Sequence, residues 1–273
     1  MINLKANSAS QRLKMRSREI DTVFKSVPKD CFEDALELGA GDGAQSKLIA
    51  RYCQQLLSTD LNADRLEQDT YPKVTYKICD AMDIPFESAR FDLIYSSNLF
   101  EHVPDPKRAL YEMKRVLRDD GVMAHIIPNR FWKFLHLAMF LPNELVIALE
   151  IALTAGKSRR SSNRSFRGNN LQRETPSFLR RHIWPTVHGE YKNHMEEFIR
   201  MGSGYWQKIF TESGFEVVGT ITGLPVHSPY RFGFETLRRL LEDRGLSSCN
   251  GYVLKKAESE SLKSSLIVSS PKQ

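Results

Sequence analysis

An α/β fold with a doubly wound, Rossmann-like sheet is predicted for this 273-residue chain by three observations. Short apolar runs of strand length alternate with stretches of helical periodicity from about residue 31 to residue 128. The run Ala35-Leu36-Glu37-Leu38 breaks into a turn carrying Gly39, Gly41 and Gly43 at alternate positions. The two strands that follow each close on an aspartate, Asp60 and Asp80. Alternation of this kind produces a parallel sheet covered on both faces. Glycines without Cβ atoms let the turn take positive φ and let a ligand lie directly on the backbone. That is how such a sheet binds a nucleotide-like molecule at the carboxyl end of a strand.

The elements follow in order. Leu13, Ile20, Val23, Phe24 and Val27 recur at helical spacing among basic residues, which predicts an amphipathic helix ending near Pro28 within an N-terminal segment, 1–30. Asp34–Leu38 reads as a strand and Ala44–Tyr52 as a helix. Gln55–Thr59 is a strand, Ala63–Asp69 a short helix and Val74–Cys79 a strand. Phe91–Ser96 is a strand, Lys107–Leu117 a helix and Val122–Ile127 a fifth strand, entered through an Asp119-Asp120-Gly121 turn. After Pro128 the rhythm breaks, and residues 129 to about 200 resemble no βα unit. An apolar run, Phe131–Leu153, is interrupted at Pro142-Asn143-Glu144, where a second helix is expected to start. A basic, polar segment follows, carrying Lys157, Arg159, Arg160, Arg164, Arg167, Arg173, Arg180 and Arg181. A helix near Gly204–Ser213, a strand Phe215–Thr220, a helix Gly233–Arg244 and a strand Gly251–Lys255 complete the main domain, 31–256. The Ser/Lys/Glu-rich tail, 257–273, is expected to be disordered.

Composition narrows the class. Hydrophobic content of 41% and charged content of 26% are ordinary for a globular enzyme. Net charge is +6, a mild excess whose distribution matters more than its size. Cys31, Cys53, Cys79 and Cys249 form no CxxC pair, so neither a disulfide framework nor a zinc site is read, and no metal ligand is assigned. Met1–Ser10 lacks the apolar centre of a signal peptide, and the expected location is cytoplasmic.

Gly39-x-Gly41-x-x-Ala44 also fits the loose dinucleotide pattern, so the glycines alone do not choose the cofactor. The carboxylates narrow it. Asp60 stands where a ribose diol could donate to it, although an aspartate there could also cap a helix. Asp80 stands where an exocyclic amine could reach it, with Met82 placed to lie on a ring face; a strand-end turn is the plainer role. Glu37 could orient the loop or approach a cationic ligand.

Five blocks carry a family resemblance: Glu37-Leu-Gly-Ala-Gly-Asp-Gly43, Ser58-Thr-Asp-Leu61, Cys79-Asp-Ala-Met-Asp-Ile-Pro-Phe86, Phe91-Asp-Leu-Ile-Tyr-Ser-Ser-Asn98 and Leu117-Arg-Asp-Asp-Gly-Val-Met123. In order and spacing, over residues 33 to 128, the chain resembles the class I S-adenosylmethionine-dependent methyltransferases, in their small-molecule branch. The resemblance implies a seven-stranded sheet whose last strand is antiparallel. It implies that Gly39 and Gly41 contact the methionine moiety of S-adenosyl-L-methionine, that Asp60 holds the ribose and that Leu61 packs near the adenine. It further implies that Asp80 and Ala81 meet the adenine and that Asn98 lines the floor beside the sulfonium. Insertions opening with a run like Pro128-Asn129-Arg130 occur in members that methylate quinone precursors or saccharides.

Two histidines are candidate general bases, since imidazole titrates near neutrality. His102 follows the fourth strand, within a Glu-His-Val run that could merely shape its loop. His188 lies in Val187-His-Gly-Glu190, where Gly189 would let the chain bend close to a ligand. His194, Glu190 and His227 rank behind them, and Tyr205 and Trp206 read as core residues. The mainly helical insertion, about 129–200, is expected to roof the site. Broken at Pro142, its apolar run falls short of the roughly 20 residues of a membrane span. Beside a basic segment it would suit peripheral contact with an anionic membrane face, although a solvated loop is the plainer reading of the basic residues. The expected activity is methyl transfer to an oxygen of a small-molecule or lipid-linked acceptor. The alternatives are a nucleic-acid methyltransferase, a non-catalytic cofactor-binding regulator and a nicotinamide dehydrogenase. Ser97-Asn98-Leu99-Phe100 in place of an Asn-Pro-Pro-Tyr run argues against adenine N6 chemistry.

Overall fold

The structure, a computed structural model, describes residues 4–64, 71–158, 185–227, 235–257 and 267. Seven strands form one sheet: β1 Phe32–Leu38, β2 Cys53–Asp60, β3 Val74–Ile78, β4 Phe91–Ser97, β5 Leu117–Pro128, β6 Phe215–Ile221 and β7 Cys249–Lys256. Their order is β3-β2-β1-β4-β5-β7-β6. The first five pair in parallel, and β7 runs antiparallel to both β5 and β6. Because β1 lies between β2 and β4, the chain winds outward in both directions from it. The crevice at the carboxyl ends of β1 and β4 is therefore the switch point where an open α/β sheet takes its ligand.

Both sheet faces are buried, which is why the central strands read as apolar runs rather than alternating ones. On one face Ala35, Leu93 and Tyr95 join Ile20, Val23 and Phe24 of α1, Leu4–Val23, and of the turn after it. Phe24 stacks on Tyr52 with centroids 4.7 Å apart. On the other face Leu36, Leu38 and Ile94 meet Leu110 and Met113 of α3, Pro106–Val116. The two faces thus alternate residue by residue along β1 and β4. The start of α3 is set by Pro106 and by Asp105, whose side chain accepts from the Lys107 and Arg108 amides at 3.1 Å each.

Several expectations are corrected. The helix after the glycine turn, α2, covers only Ser46–Ile49, because Gly43–Gln45 form the turn itself and β2 begins at Cys53. β5 begins at Leu117 rather than Val122. Phe91 pairs with Leu117 and Leu93 with Val122, so residues 118–121 bulge out where a turn is expected. Arg118 in that bulge bridges Glu33 and Asp34 at 2.6 and 3.0 Å.

The expected break at Pro142 does not occur: α4 runs through it from Arg130 to Ser158. An interior proline costs a hydrogen bond and strains the preceding turn, but it need not end a long helix. Asn129 starts α4 by accepting from the Trp132 amide at 3.1 Å, and it donates to the Ser247 carbonyl at 2.8 Å. Beyond it come α5, His194–Arg200, α6, Ser203–Glu212, and α7, Glu235–Asp243. Most of the expected helix Ala63–Asp69, most of the basic segment and nearly all of the tail lie outside the described residues. Ile267 of the tail is described, and it is buried in the α1 face.

Candidate functional site

The glycine turn is built as a cradle. Gly39, Gly41 and Gly43 have φ of +76°, +60° and +70°. A Cβ on Gly39 would meet Leu99 Cδ1 at 3.0 Å, whereas one on Gly41 would meet nothing within 4 Å. Gly39 is therefore needed for packing, while Gly41 faces open space. Beneath the turn Glu37 is fully buried, its carboxylate accepting from Gln45 Nε2 at 3.0 Å and Ser58 Oγ at 2.9 Å. Burial raises the Glu37 carboxyl above its ordinary value.

Asp60 ties two loops together. One carboxylate oxygen accepts from the Gly41 amide at 2.8 Å and the other from the Asn62 amide at 2.9 Å. With its side chain nearly buried and further lone pairs on each oxygen, it can still accept from a diol above the loop. Leu61 beside it is 68% exposed, an apolar surface in need of a neighbour. At the end of β3, Asp80 accepts from the Met82 amide at 2.8 Å, Ala81 is buried and Met82 packs against the core.

Asn98, at the end of β4, holds a φ of +53° and donates its amide to the Ile126 carbonyl at 2.9 Å. With the side-chain amide set in the orientation its neighbours require, its oxygen accepts from Arg16 Nη2 at 2.7 Å. Arg16 also donates to Ser97 Oγ at 2.8 Å and to Glu19 at 2.9 Å. Ser97 Oγ donates in turn to Glu19 at 2.7 Å, Tyr95 OH does so at 3.2 Å, and His227 Nε2 lies 3.0 Å from the other Glu19 oxygen. Burial alone would raise the Glu19 carboxyl, but Arg16, His227 and Ser97 outweigh it and hold it down to about 2. This network went unread in the sequence. The available signal was position: Arg16 and Glu19 share the helical face of Ile20 and Val23, where a solvated charge does not belong.

Across the mouth of the crevice, a one-turn 3₁₀ helix, Phe100–His102, follows β4. It meets residues 187–190. The Glu190 amide donates to the Glu101 carbonyl at 2.8 Å. A Cβ on Gly189, at φ +81°, would fall 2.2 Å from that carbonyl, so only glycine fits. The bend expected at Gly189 thus closes on Glu101. His188 Nε2 lies 4.0 Å from Glu101 Oε1, and the His102 and His188 rings stand edge to face at 4.7 Å. The two candidate bases therefore meet. Glu101 joins them, and its carboxylate is completely buried with neither oxygen hydrogen-bonded. Burial pushes the Glu101 carboxyl up to about 8, and burial with His102 pushes His188 down to about 4. Trp132 of α4 covers His188 at 4.7 Å.

The other named residues sit apart from this cluster. His194 belongs to a second buried group, its Nδ1 2.8 Å from Lys133 Nζ, which pairs with Glu197 at 2.5 Å. Trp206 is buried between Phe100 and Phe210, a core residue as expected.

Residues 36–125 match the family model described as a methyltransferase domain. A probable tocopherol O-methyltransferase of Oryza sativa subsp. japonica is 29% identical over 121 residues, covering 40% of this chain and 33% of the relative. A probable S-adenosylmethionine-dependent methyltransferase of Mycobacterium tuberculosis is 30% identical over 116 residues, 41% of this chain and 42% of the relative. The chain thus spans between a third and a half of the length of these curated relatives. A Listeria monocytogenes protein, provisionally assigned as an S-adenosylmethionine dependent methyltransferase, superposes with a TM-score of 0.54 at 15% identity, over 90% of this chain and all of its own. That last likeness establishes the fold.

Proposed function

We infer that this chain, an S-adenosylmethionine-dependent methyltransferase of class I by its domain match and sheet, methylates an oxygen of a small-molecule or lipid-linked acceptor. When bound, S-adenosyl-L-methionine supplies a methyl group on a sulfonium, already activated for in-line displacement. The chain's share is to hold, orient and exclude water. The open face of Gly41 fits the methionine end, Asp60 a ribose diol, and Asp80 with Ala81, Met82 and Leu61 an adenine. Asn98, held by Arg16, would floor the reacting centre.

One observation carries the acceptor reading: the Glu101–His102–His188 cluster beside the carboxyl end of β4. A hydroxyl acceptor must be gripped and must give up its proton as the new O–C bond forms and the S–C bond breaks. A carboxylate with two imidazoles provides groups for both tasks. The name of the rice relative also favours an oxygen acceptor. The lipid-linked reading draws support from α4, where Phe134, Leu137, Leu141 and Leu145 are exposed at helical spacing. Among the described residues no helix is long and apolar enough to cross a membrane. Such a stripe would meet a lipid chain or a bilayer surface from one side.

The test is to incubate the protein with methyl-labelled donor and a cell extract and to locate the label by mass spectrometry. Label on an oxygen, as a methyl ether or a methyl ester, supports the reading. Label confined to nitrogen, carbon or nucleic acid overturns it.

A further inference from the structure

We propose that Glu101, His102 and His188 bind one divalent first-row transition metal ion, which takes the acceptor oxygen as a further ligand. The second clause rests on the oxygen-acceptor reading above; the metal site does not.

Each of the three residues offers one ligand atom, and these atoms lie within 4.8 Å of one another. Two imidazole nitrogens with one carboxylate oxygen form a donor set suited to zinc, iron(II), cobalt(II) or manganese(II). Ligands about 2.1 Å from such an ion stand roughly 3.0–3.5 Å apart. The 4.0 Å between His188 Nε2 and Glu101 Oε1 therefore closes with a small side-chain rotation. The His188 side chain, 35% exposed, has room to make it.

Glu101 is the second, independent observation. Its side chain is fully buried and aimed into the cluster, and neither oxygen has a hydrogen-bond partner. An ionised carboxylate buried without a partner is costly, so such a group either holds its proton or takes a cation. The cation that acts on Glu101, Arg16, is already engaged by Glu19 and Ser97, and Lys133, which acts on His188, by Glu197 and His194. A divalent ion between Glu101 and the imidazoles would compensate that burial.

The surroundings are built to hold this arrangement. Glu190 bonds to the Glu101 backbone, Gly189 permits the contact that brings His188 within reach, and Trp132 packs against the His188 ring. Groups that position ligands in this way are a regular part of metal centres. The exposed His102 side leaves room for an acceptor oxygen to complete the coordination, as in sites that activate a bound hydroxyl.

The full chain, stripped with a chelator and free of cofactor and acceptor, is titrated with cobalt(II) by absorption and with zinc by calorimetry. One equivalent should bind, with cobalt ligand-field bands. Glu101→Gln and His188→Ala should each weaken binding at least about ten-fold, with unchanged circular dichroism. No saturable binding, or binding indifferent to both variants, overturns the site. A second arm measures methyl transfer to the acceptor found with labelled donor, before and after chelation. Transfer lost on chelation and restored by one equivalent of metal supports the role toward the acceptor. Transfer indifferent to chelation overturns that role. Absence of any methylated oxygen overturns the acceptor reading and leaves the titration as the test of the site.

Discussion

The backbone amide of Gly41 donates to the carboxylate of Asp60 at 2.8 Å, so one hydrogen bond latches the turn after β1 to the end of β2. The carboxylate proposed to bind the cofactor is thus also the one that shapes the cradle. Removing it should do two things at once.

Asp60→Ala should weaken S-adenosyl-L-methionine binding by roughly ten- to a hundred-fold, the range for losing hydrogen bonds to a charged group. Asp60→Asn keeps one acceptor oxygen and should fall between. Calorimetric titration with the cofactor checks both. Unchanged affinity in Asp60→Ala would remove Asp60 from the cofactor site.

Gly189→Ala should destabilise the chain. Its φ of +81° and the 2.2 Å approach to the Glu101 carbonyl leave no place for a methyl group. A cost of about 1–3 kcal/mol is expected for a residue forced into that region, lowering Tm by several degrees in a domain of this size. Thermal unfolding followed by circular dichroism measures it.

Acid should loosen the junction between α1 and β4. The Glu19 carboxyl is held down to about 2 in the folded chain, below its ordinary value of 4.5. Its stabilisation is therefore complete above pH 4.5 and is lost as pH falls from there toward 2. The linked energy is of order 3 kcal/mol. In Glu19→Gln, urea unfolding should show lower stability at neutral pH and a shallower decline across that window. A slope identical to the parent would disprove the assignment.

The exposed stripe on α4 makes a separate prediction. Leu141→Glu, at a side chain 60% exposed, should change stability by no more than about 0.5 kcal/mol. It should nonetheless reduce co-sedimentation with anionic vesicles several-fold if the stripe meets lipid. Equal sedimentation of parent and variant would argue that the stripe serves another purpose.

What could be read from sequence depended on distance along the chain. Gly39, Gly41, Asp60 and Asp80 are strand-end residues whose placement follows from the strand before them, so local periodicity sufficed. The antiparallel β7 came with the family resemblance. His102 and His188 were singled out separately, but their meeting at Glu101 needed a bend after a segment with no regular rhythm. Arg16 is hidden by its setting, a basic helix in which one half-buried guanidinium looks like its solvated neighbours. Pro142 misled for the opposite reason: its local effect is strong, yet α4 continues through it.

Glu19 imposes an order in time. Its partners arrive from three stages of synthesis: Arg16 beside it, then Tyr95 and Ser97, and last His227. The first helix to be made therefore waits, without its docking face, for most of the sheet to follow. Contacts so far apart in sequence slow folding, because the chain must close long loops before they stabilise anything. Closing the carboxylate's last contact should belong to the late phase of refolding, and Glu19→Gln should accelerate unfolding more than it slows folding.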